Sequence, residues 1–170
     1  TLYFFFKCSI VGLIIFSSSL NLSILSQWGL SPNIAILGFA FKSNTNDTRE
    51  SAAIQICKDL LDEGAELLIH DPKVKANQIE LDLQITPKDI CSKDNPNEGI
   101  WNFSSNIEDS LIDADAVLVL TEWIEYTKIN WENAYKTMRK PAWVFDTRSI
   151  VEEKEIQNIG INLWKLGSNC

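Results

Sequence analysis

Short, mostly apolar runs alternate with longer amphipathic segments from residue 33 onwards, and this alternation constrains the fold more than any other feature. The run 116–120 (AVLVL) is the most strand-like, because it is apolar at every position and would be buried on both faces of a sheet. Further strands are predicted at 34–37, 66–70, 142–145 and 161–166. Such alternation predicts an α/β fold: a Rossmann-like, doubly wound, mostly parallel sheet with helices on both faces.

Helices are predicted where apolar residues recur at helical spacing. Residues 49–63 are the clearest case, with Asp47 and Glu50 spaced as a capping box and Gly64 as a stop signal. Shorter helices are predicted at 107–112, 131–138 and 152–158. The segment from 74 to 103 is less regular, and we interpret it as an excursion from the sheet in which 79–85 forms a strand or a short helix.

The first thirty residues differ in composition from the rest of the chain. No acidic residue precedes Asp47, and residues 8–25 form an uncharged, mostly apolar run that barely reaches the length of a membrane span and is diluted by serines. The start at Thr1 rather than Met suggests a fragment. We therefore expect residues 1–32 to be an artefactual, disordered or irrelevant leader rather than a membrane anchor, and residues 33–170 to form the domain.

Composition excludes several classes of function. Fifteen basic and 23 acidic residues give a net charge of −8, which argues against a nucleic-acid partner. The four cysteines show no CxxC spacing, so we expect neither a zinc site nor a disulfide framework, and a reducing, cytoplasmic location is favoured. His70 is the single histidine, which excludes a three-histidine metal site; we interpret it as structural.

Charged and aromatic residues follow three of the predicted strands. Phe41, Lys42 and Arg49 follow the first strand, Trp123 follows the central one, and Arg148 follows the next. Ligands of open parallel sheets bind at the carboxyl ends of the strands, so these side chains would suit a phosphorylated ligand. Taken singly, each has a plainer interpretation as a solvated charge or a core aromatic residue.

The first strand lacks the signature of a dinucleotide site. The loop after it reads GFAFK rather than GxGxxG, and no acidic residue at the end of a predicted strand follows at the interval of roughly twenty positions at which a ribose ligand is expected. Asp71 lies too far along the chain for that role. We therefore predict a Rossmann-like domain that is not the principal NAD site.

Four ordered motifs, IAILGFAFKSNTNDTRES, IHDPK, DADAVLVLTEW and VFDTR, resemble the C-terminal, UDP-binding domain of the UDP-glucose/GDP-mannose dehydrogenase family. The resemblance spans about residues 33–167. It implies NAD-dependent oxidation of UDP-glucose to UDP-glucuronate by a homo-oligomer whose NAD-binding domain and catalytic cysteine lie outside this chain. The alternatives are oxidation of GDP-mannose or a UDP-N-acetyl sugar, and a non-catalytic UDP-sugar-binding module.

The resemblance also implies roles for four residues. Phe41 and Lys42 match an aromatic–lysine pair that lies against the substrate, and Arg148 matches an arginine that contacts the UDP moiety. Arg49 matches an arginine that reaches NAD on the other domain. No catalytic residue is implied within this chain, which alone is expected to be inactive.

Two departures from the family pattern concern the backbone. Asn46 stands where the family commonly has glycine, and asparagine accepts a left-handed conformation better than most residues. Thr147 replaces the glycine before Arg148, and this change affects the backbone turn at the expected UDP site.

Overall fold

A computed structural model describes residues 31–88 and 99–167. Its strands form one six-stranded sheet in the order β3-β2-β1-β4-β5-β6, and every neighbouring pair is parallel. The strands are β1 (Asn33–Leu37), β2 (Glu66–His70), β3 (Ile100–Phe103), β4 (Ala116–Val119), β5 (Trp143–Asp146) and β6 (Asn162–Lys165). This confirms the predicted α/β sheet, whereas the expected leader lies outside the described residues except for its last two positions.

Five α-helices connect the strands within the described ranges. They are α1 (Ala52–Asp62), α2 (Ala76–Leu83), α3 (Ile107–Leu111), α4 (Trp131–Thr137) and α5 (Glu153–Ile159), and a 3-10 helix spans Ile124–Lys128. Right-handed crossovers place α1 and α2 on one face of the sheet and α3, α4 and α5 on the other. The packing of α1 against α2, and of α4 against both α3 and α5, agrees with that arrangement. None of the described helices is long and apolar enough to cross a bilayer.

The irregular segment contains a strand that the sequence analysis missed. Ile100–Phe103 (IWNF) forms the edge strand β3, paired in parallel with β2. The run is only four residues long and contains Asn102, so its apolar pattern is weak, and pairing with β2 decides its conformation. Trp101 is fully buried, and its indole N–H donates to the carbonyl of Ile85 at 2.8 Å. Of the two alternatives for 79–85, the helix is confirmed over most of the segment.

The predicted capping box at the start of α1 is wrong. Ser51 is the N-cap: its hydroxyl accepts the N–H of Ala53 at 3.3 Å and donates to the carbonyl of Phe39 at 2.7 Å. Glu50 has a φ of 61° and so lies outside the helix, while Asp47 is occupied by a contact within its own loop. The Ser51 hydroxyl thereby ties the helix start to the residues that follow β1.

The core lies on both faces of the central strands, which are almost fully buried. Cys57 faces this core from α1 as a free thiol, and burial raises its pKa. A thiol with a raised pKa is a poor nucleophile at neutral pH, which agrees with the packing role expected for it. The other three cysteines lie outside the described residues.

Gly99 allows the chain to enter β3 against the end of α1. A Cβ atom built at this position would lie 2.0 Å from the carbonyl oxygen of Leu61, which is a backbone atom that cannot rotate away. We predict that Gly99→Ala lowers the free energy of unfolding by about 2 kcal/mol, because the backbone must move to relieve the overlap. Urea denaturation of the chain measures the change.

Gly167→Ala is the matched control for this substitution. Gly167 has a φ of 85° but no heavy atom within 4 Å of the added Cβ, so only backbone strain of about 1 kcal/mol is expected. An equal loss of stability in the two variants would contradict the predicted close approach of Gly99 to α1.

Candidate functional site

A buried carboxylate joins the segments that follow three strands at the carboxyl edge of the sheet. Oδ2 of Asp71 accepts the backbone N–H groups of Phe39 (2.8 Å) and Ala40 (3.0 Å) and the indole N–H of Trp123 (3.2 Å). Oδ1 accepts two backbone N–H groups from the turn at 73–74, both at 2.8 Å. Because Asp71 is only 4% exposed, these five donors replace the water that an ionised carboxylate requires.

The β1 loop (residues 38–51) packs closely against the end of β4. Gly38 has a φ of 95°, and a Cβ there would lie 2.5 Å from the Cβ of Thr121, so both its backbone conformation and the available space require glycine. The Gly38 N–H donates to the carbonyl of His70 at 2.9 Å, and the hydroxyl of Thr121 donates to the carbonyl of Ala40 at 2.7 Å. The start of the loop is therefore fixed to both neighbouring strands.

Phe41 and Lys42 emerge from this fixed start at the rim of the sheet. Phe41 is 48% exposed although it is a large apolar side chain, and Lys42 is also exposed. The N–H of Phe41 donates to the carbonyl of Asp47 at 2.8 Å, which closes the loop behind them. Apart from Gly38, the residues of this loop with a positive φ are Asn44 (63°) and Glu50 (61°), whereas Asn46 does not have one. The aromatic ring and the cation, on consecutive residues, are thus both accessible to solvent.

Arg49 forms a two-pronged ion pair with Asp47. Its Nε and Nη2 atoms donate to the two carboxylate oxygens at 2.9 and 2.7 Å, and its backbone N–H donates to Oδ1 at 3.0 Å. The side-chain and backbone hydrogen bonds from Arg49 lower the pKa of Asp47 to about 2. The Arg49 side chain is nevertheless 87% exposed. Asp47 therefore holds the Arg49 guanidinium in one orientation, while the side chain remains accessible to a second anion.

Arg148 lies two residues after β5 and is anchored by one nitrogen. Its Nε donates to the carbonyl of Leu120 at 2.8 Å and lies 3.4 Å from Oε2 of Glu122. The side chain is 37% exposed, and its terminal Nη atoms donate no hydrogen bond to any group in ranges 31–88 and 99–167. A guanidinium held at Nε with its outer nitrogens free is suited to bind an anion.

The backbone before Arg148 does not need the glycine that the family commonly has there. Thr147 does not adopt a positive φ, and its hydroxyl donates to the carbonyl of Val119 at 2.8 Å. The left-handed residue of this turn is Ser149, with a φ of 56°. Asp146 closes the turn by accepting the N–H groups of Arg148 (2.9 Å) and Val151 (2.8 Å).

His70 is buried beside this edge and bonds to the 3-10 helix. Its Nδ1 lies 3.0 Å from the hydroxyl of Tyr126, which also lies 3.0 Å from the carbonyl of His70. Burial lowers the pKa of His70 and outweighs the opposing charges of nearby carboxylates, Asp71 foremost. The structural role expected for His70 agrees with these contacts.

The sheet order places the four predicted residues around β4. Phe41, Lys42 and Arg49 follow β1, Arg148 follows β5, and β1 and β5 flank β4 on either side. Trp123, the other aromatic residue singled out from the sequence, is buried beneath this edge rather than exposed on it. Asp71 and Glu122 were missed as site residues, although both lie inside the motifs IHDPK and LTEW that drew attention to the edge.

A cavity of about 420 Å³ lies elsewhere, beside the starts of β1, β2 and β3. Its lining includes Asn33, Leu68 and Asn102 but none of the four predicted site residues. In open parallel sheets, ligands bind at the opposite, carboxyl edge. The candidate site is therefore the rim that carries Lys42 and Arg148. No cluster of three or more metal-ligating side chains is found in the described part of the chain.

Comparison with known families identifies the class of this domain. Residues 35–153 match the family model described as "UDP-glucose/GDP-mannose dehydrogenase family, UDP binding domain". The matched stretch covers more than half of the chain, from β1 to the start of α5. The chain therefore belongs to the UDP-glucose/GDP-mannose dehydrogenase family, and the part that matches is the UDP-binding domain.

Curated relatives narrow the resemblance. The chain is 40% identical over 134 residues to UDP-glucose 6-dehydrogenase of Drosophila melanogaster, covering 79% of this chain and 28% of the fly protein. It is 42% identical over 136 residues to UDP-glucose 6-dehydrogenase of Gallus gallus, covering 79% of this chain and 27% of the chicken protein. The chain thus spans little more than a quarter of the length of these relatives.

Solved structures confirm the fold. An NDP-N-acetyl-D-galactosaminuronic acid dehydrogenase from Methanosarcina mazei Go1 superposes with a TM-score of 0.63 at 23% identity, over 86% of this chain and 27% of that one. A UDP-glucose dehydrogenase from Pyrobaculum islandicum gives a TM-score of 0.54 at 20% identity, over 80% of this chain and 25% of that one. At such low identity these likenesses concern the fold alone.

The β1 turn does not fit the pyrophosphate of NAD. In dinucleotide-binding sheets, the first strand ends in backbone N–H groups that cradle this group. Here the N–H groups of Phe39 and Ala40 are already taken by the carboxylate of Asp71. The carboxylate of Asp71 thus takes the place at these N–H groups that the pyrophosphate of a dinucleotide would occupy. Arg49 takes no part in this contact, and its side chain is exposed to solvent.

We predict that His70 makes stability depend on pH below neutrality. Folding lowers the pKa of His70 below its ordinary value of 6.5. At acidic pH, the unfolded chain therefore binds a proton that the folded chain does not. The contribution of neutral, buried His70 to the free energy of unfolding is fully present above pH 6.5 and is lost as the pH falls towards the lowered pKa of the folded state. The free energy of unfolding should therefore decrease between about pH 7.5 and about pH 5.5. His70→Asn should show a flatter profile in the same denaturation series, and parallel profiles would contradict the assignment.

Proposed function

We propose that this chain is the nucleotide-sugar-binding part of an NAD-dependent UDP-glucose 6-dehydrogenase, which oxidises UDP-glucose to UDP-glucuronate. The observation that carries the proposal is the Arg148 guanidinium, which is held through Nε by the carbonyl of Leu120 and whose outer nitrogens donate to no group among the described residues. A diphosphate needs such a fork, together with a second positive charge nearby. Lys42, on the far side of β4, supplies that charge.

Phe41, Lys42 and Arg148 divide the UDP-sugar between them in this proposal. Phe41 offers an exposed ring against the flat nucleoside, and Lys42 offers a compact charge to the pyrophosphate. Arg148 offers two parallel N–H donors to phosphate or uracil oxygens. The net charge of −8 makes this local cluster of cations necessary, because the chain as a whole repels a diphosphate.

NAD enters the proposal through Arg49 alone. Oxidation of the sugar alcohol to a carboxylate removes four electrons, so two molecules of NAD, bound in turn by a domain outside this chain, would supply the oxidising power. Arg49 would meet a phosphate of NAD by sharing or leaving the carboxylate of Asp47, which already directs its guanidinium outward. The catalytic cysteine would also come from outside this chain, whose own residues bind and orient.

The proposed enzyme is a cytoplasmic homo-oligomer. Its location follows from the scattered cysteines, of which Cys57 is a free, buried thiol, as expected in a reducing compartment. The family resemblance supports the homo-oligomer, with the main dimer contacts made by a segment outside this chain.

We predict that Arg148→Ala weakens the binding of UDP to the chain at least about tenfold, because a charge-assisted, two-pronged contact is lost. Isothermal titration calorimetry measures the affinity. Arg139→Ala is the matched control, since Arg139 pairs with Asp115 at the opposite edge of the sheet and is similarly exposed. Unchanged affinity in Arg148→Ala would remove its proposed role.

The same titration, carried out with each nucleotide sugar, separates the proposed substrate from those of the related dehydrogenases, and an assay for NADH tests the binding module. Binding of UDP-glucose in preference to GDP-mannose and UDP-N-acetyl sugars supports the proposed substrate. Preference for either of the others favours the related dehydrogenases. A full-length enzyme that binds UDP-sugar but produces no NADH favours the binding module.

We predict that Arg49→Ala raises the KM for NAD of the full-length enzyme about tenfold and leaves the KM for UDP-glucose within about twofold of normal. Steady-state kinetics with each substrate varied in turn measures both values. Lys136→Ala is the control, because this exposed cation lies in the last turn of α4, which leads to the start of β5 at the opposite edge of the sheet. An effect confined to UDP-glucose would assign Arg49 to the sugar nucleotide instead.

A further inference from the structure

We propose that Asp71 is the positioning residue of this site, because one carboxylate places both the Phe41–Lys42 arm and the Arg148 arm. The proposal rests on the proposed function for the identity of the ligand. The connection between the arms rests on hydrogen bonds within the chain. Asp71 is buried beneath the rim and does not reach the ligand, so it acts through other residues.

The first arm is placed through the backbone. Oδ2 of Asp71 accepts the N–H groups of Phe39 and Ala40, the two residues immediately before Phe41 and Lys42. Each residue of an extended chain advances only about 3.3 Å, so Lys42 stands two short steps from a fixed point. A shift of these two N–H groups would therefore move the ring and the ammonium group together.

The second arm is placed through a tryptophan. The same Oδ2 accepts the indole N–H of Trp123 at 3.2 Å, and this side chain is almost completely buried. Glu122, the preceding residue, approaches Nε of Arg148 to 3.4 Å, and the carbonyl of Leu120 accepts from the same nitrogen. The Asp71 carboxylate thereby fixes the β4 loop (residues 120–123), which in turn holds the Arg148 guanidinium.

Only an acceptor at both oxygens can make these contacts. An ionised carboxylate accepts at Oδ1 and Oδ2, whereas the amide of asparagine presents an NH₂ group at one of the two positions. In Asp71→Asn, that group would face either the three donors at Oδ2 or the two at Oδ1. Either orientation sets donors against donors and releases at least one of the connected segments.

The test compares two buried aspartates at opposite edges of the sheet. Asp115 accepts the N–H of Asn33 at 2.8 Å and lies 3.5 Å from Arg139, so Asp115→Asn also removes a buried carboxylate, but far from the rim. UDP is the titrant, and thermal unfolding is measured in parallel. We expect Asp71→Asn to bind UDP at least about tenfold more weakly and Asp115→Asn to bind within about twofold of the unsubstituted chain.

Two titration results would overturn the inference. One is Asp71→Asn binding UDP as tightly as the unsubstituted chain. The other is Asp115→Asn losing as much affinity as Asp71→Asn, since any buried carboxylate would then have the same effect. Should Asp71→Asn fail to fold, Trp123→Phe removes the indole N–H and keeps an aromatic ring. This variant should lose affinity for UDP about threefold, and normal affinity would contradict the second arm.

Amide hydrogen exchange without ligand distinguishes failure of this inference from failure of the proposed function. The N–H of Phe41 donates to Asp47 rather than to Asp71, so faster exchange at Phe41 in Asp71→Asn than in Asp115→Asn reports movement of the loop itself. An unsubstituted chain that does not bind UDP overturns the proposed function. Exchange at Phe41 still decides on Asp71 in that case, and an unchanged rate overturns its positioning role.

Discussion

The candidate site depends on the burial of one carboxylate with five hydrogen-bond donors around it. Removing an ionised carboxylate from water is costly unless its oxygens are matched by donors, and the donors to Asp71 come from the segments after β1, β2 and β4. Each segment therefore holds the others in place. The exposed cations at the rim, Lys42 and Arg148, follow or contact segments that these hydrogen bonds connect.

Most strands of the sheet could be predicted because each is marked by the apolar pattern of its own few residues. Runs such as AVLVL are apolar at every position and have one plausible use, as strands buried on both faces. The edge rule for parallel sheets then brought Lys42, Arg49 and Arg148 to one rim. What could not be predicted depends on distant partners: β3 becomes a strand by pairing with β2, and the donors to Asp71 lie up to 52 residues away.

The same carboxylate occupies the backbone donors that bind a dinucleotide in other Rossmann-like sheets. The fold ordinarily leaves backbone N–H groups unpaired at the end of its first strand, and those groups attract phosphate. Asp71 accepts two of these N–H groups, those of Phe39 and Ala40, so the candidate ligand-binding groups are side chains at the rim, namely Phe41, Lys42 and Arg148. The class of ligand that such a sheet can bind thus depends on whether a side chain occupies the backbone N–H groups after the first strand, as well as on the strand order.

The long separation between Phe39 and Asp71 also has a consequence for the order of assembly. The acceptor for the Phe39 N–H arrives only 32 residues later in the chain, after α1 and the whole of β2. A nascent polypeptide that has emerged only as far as α1 lacks the acceptor for the N–H groups of Phe39 and Ala40. These two N–H groups therefore gain their acceptor only once the residues after β2 lie beside β1, so the hydrogen bonding of the GFAFK segment is completed by residues that are synthesised much later.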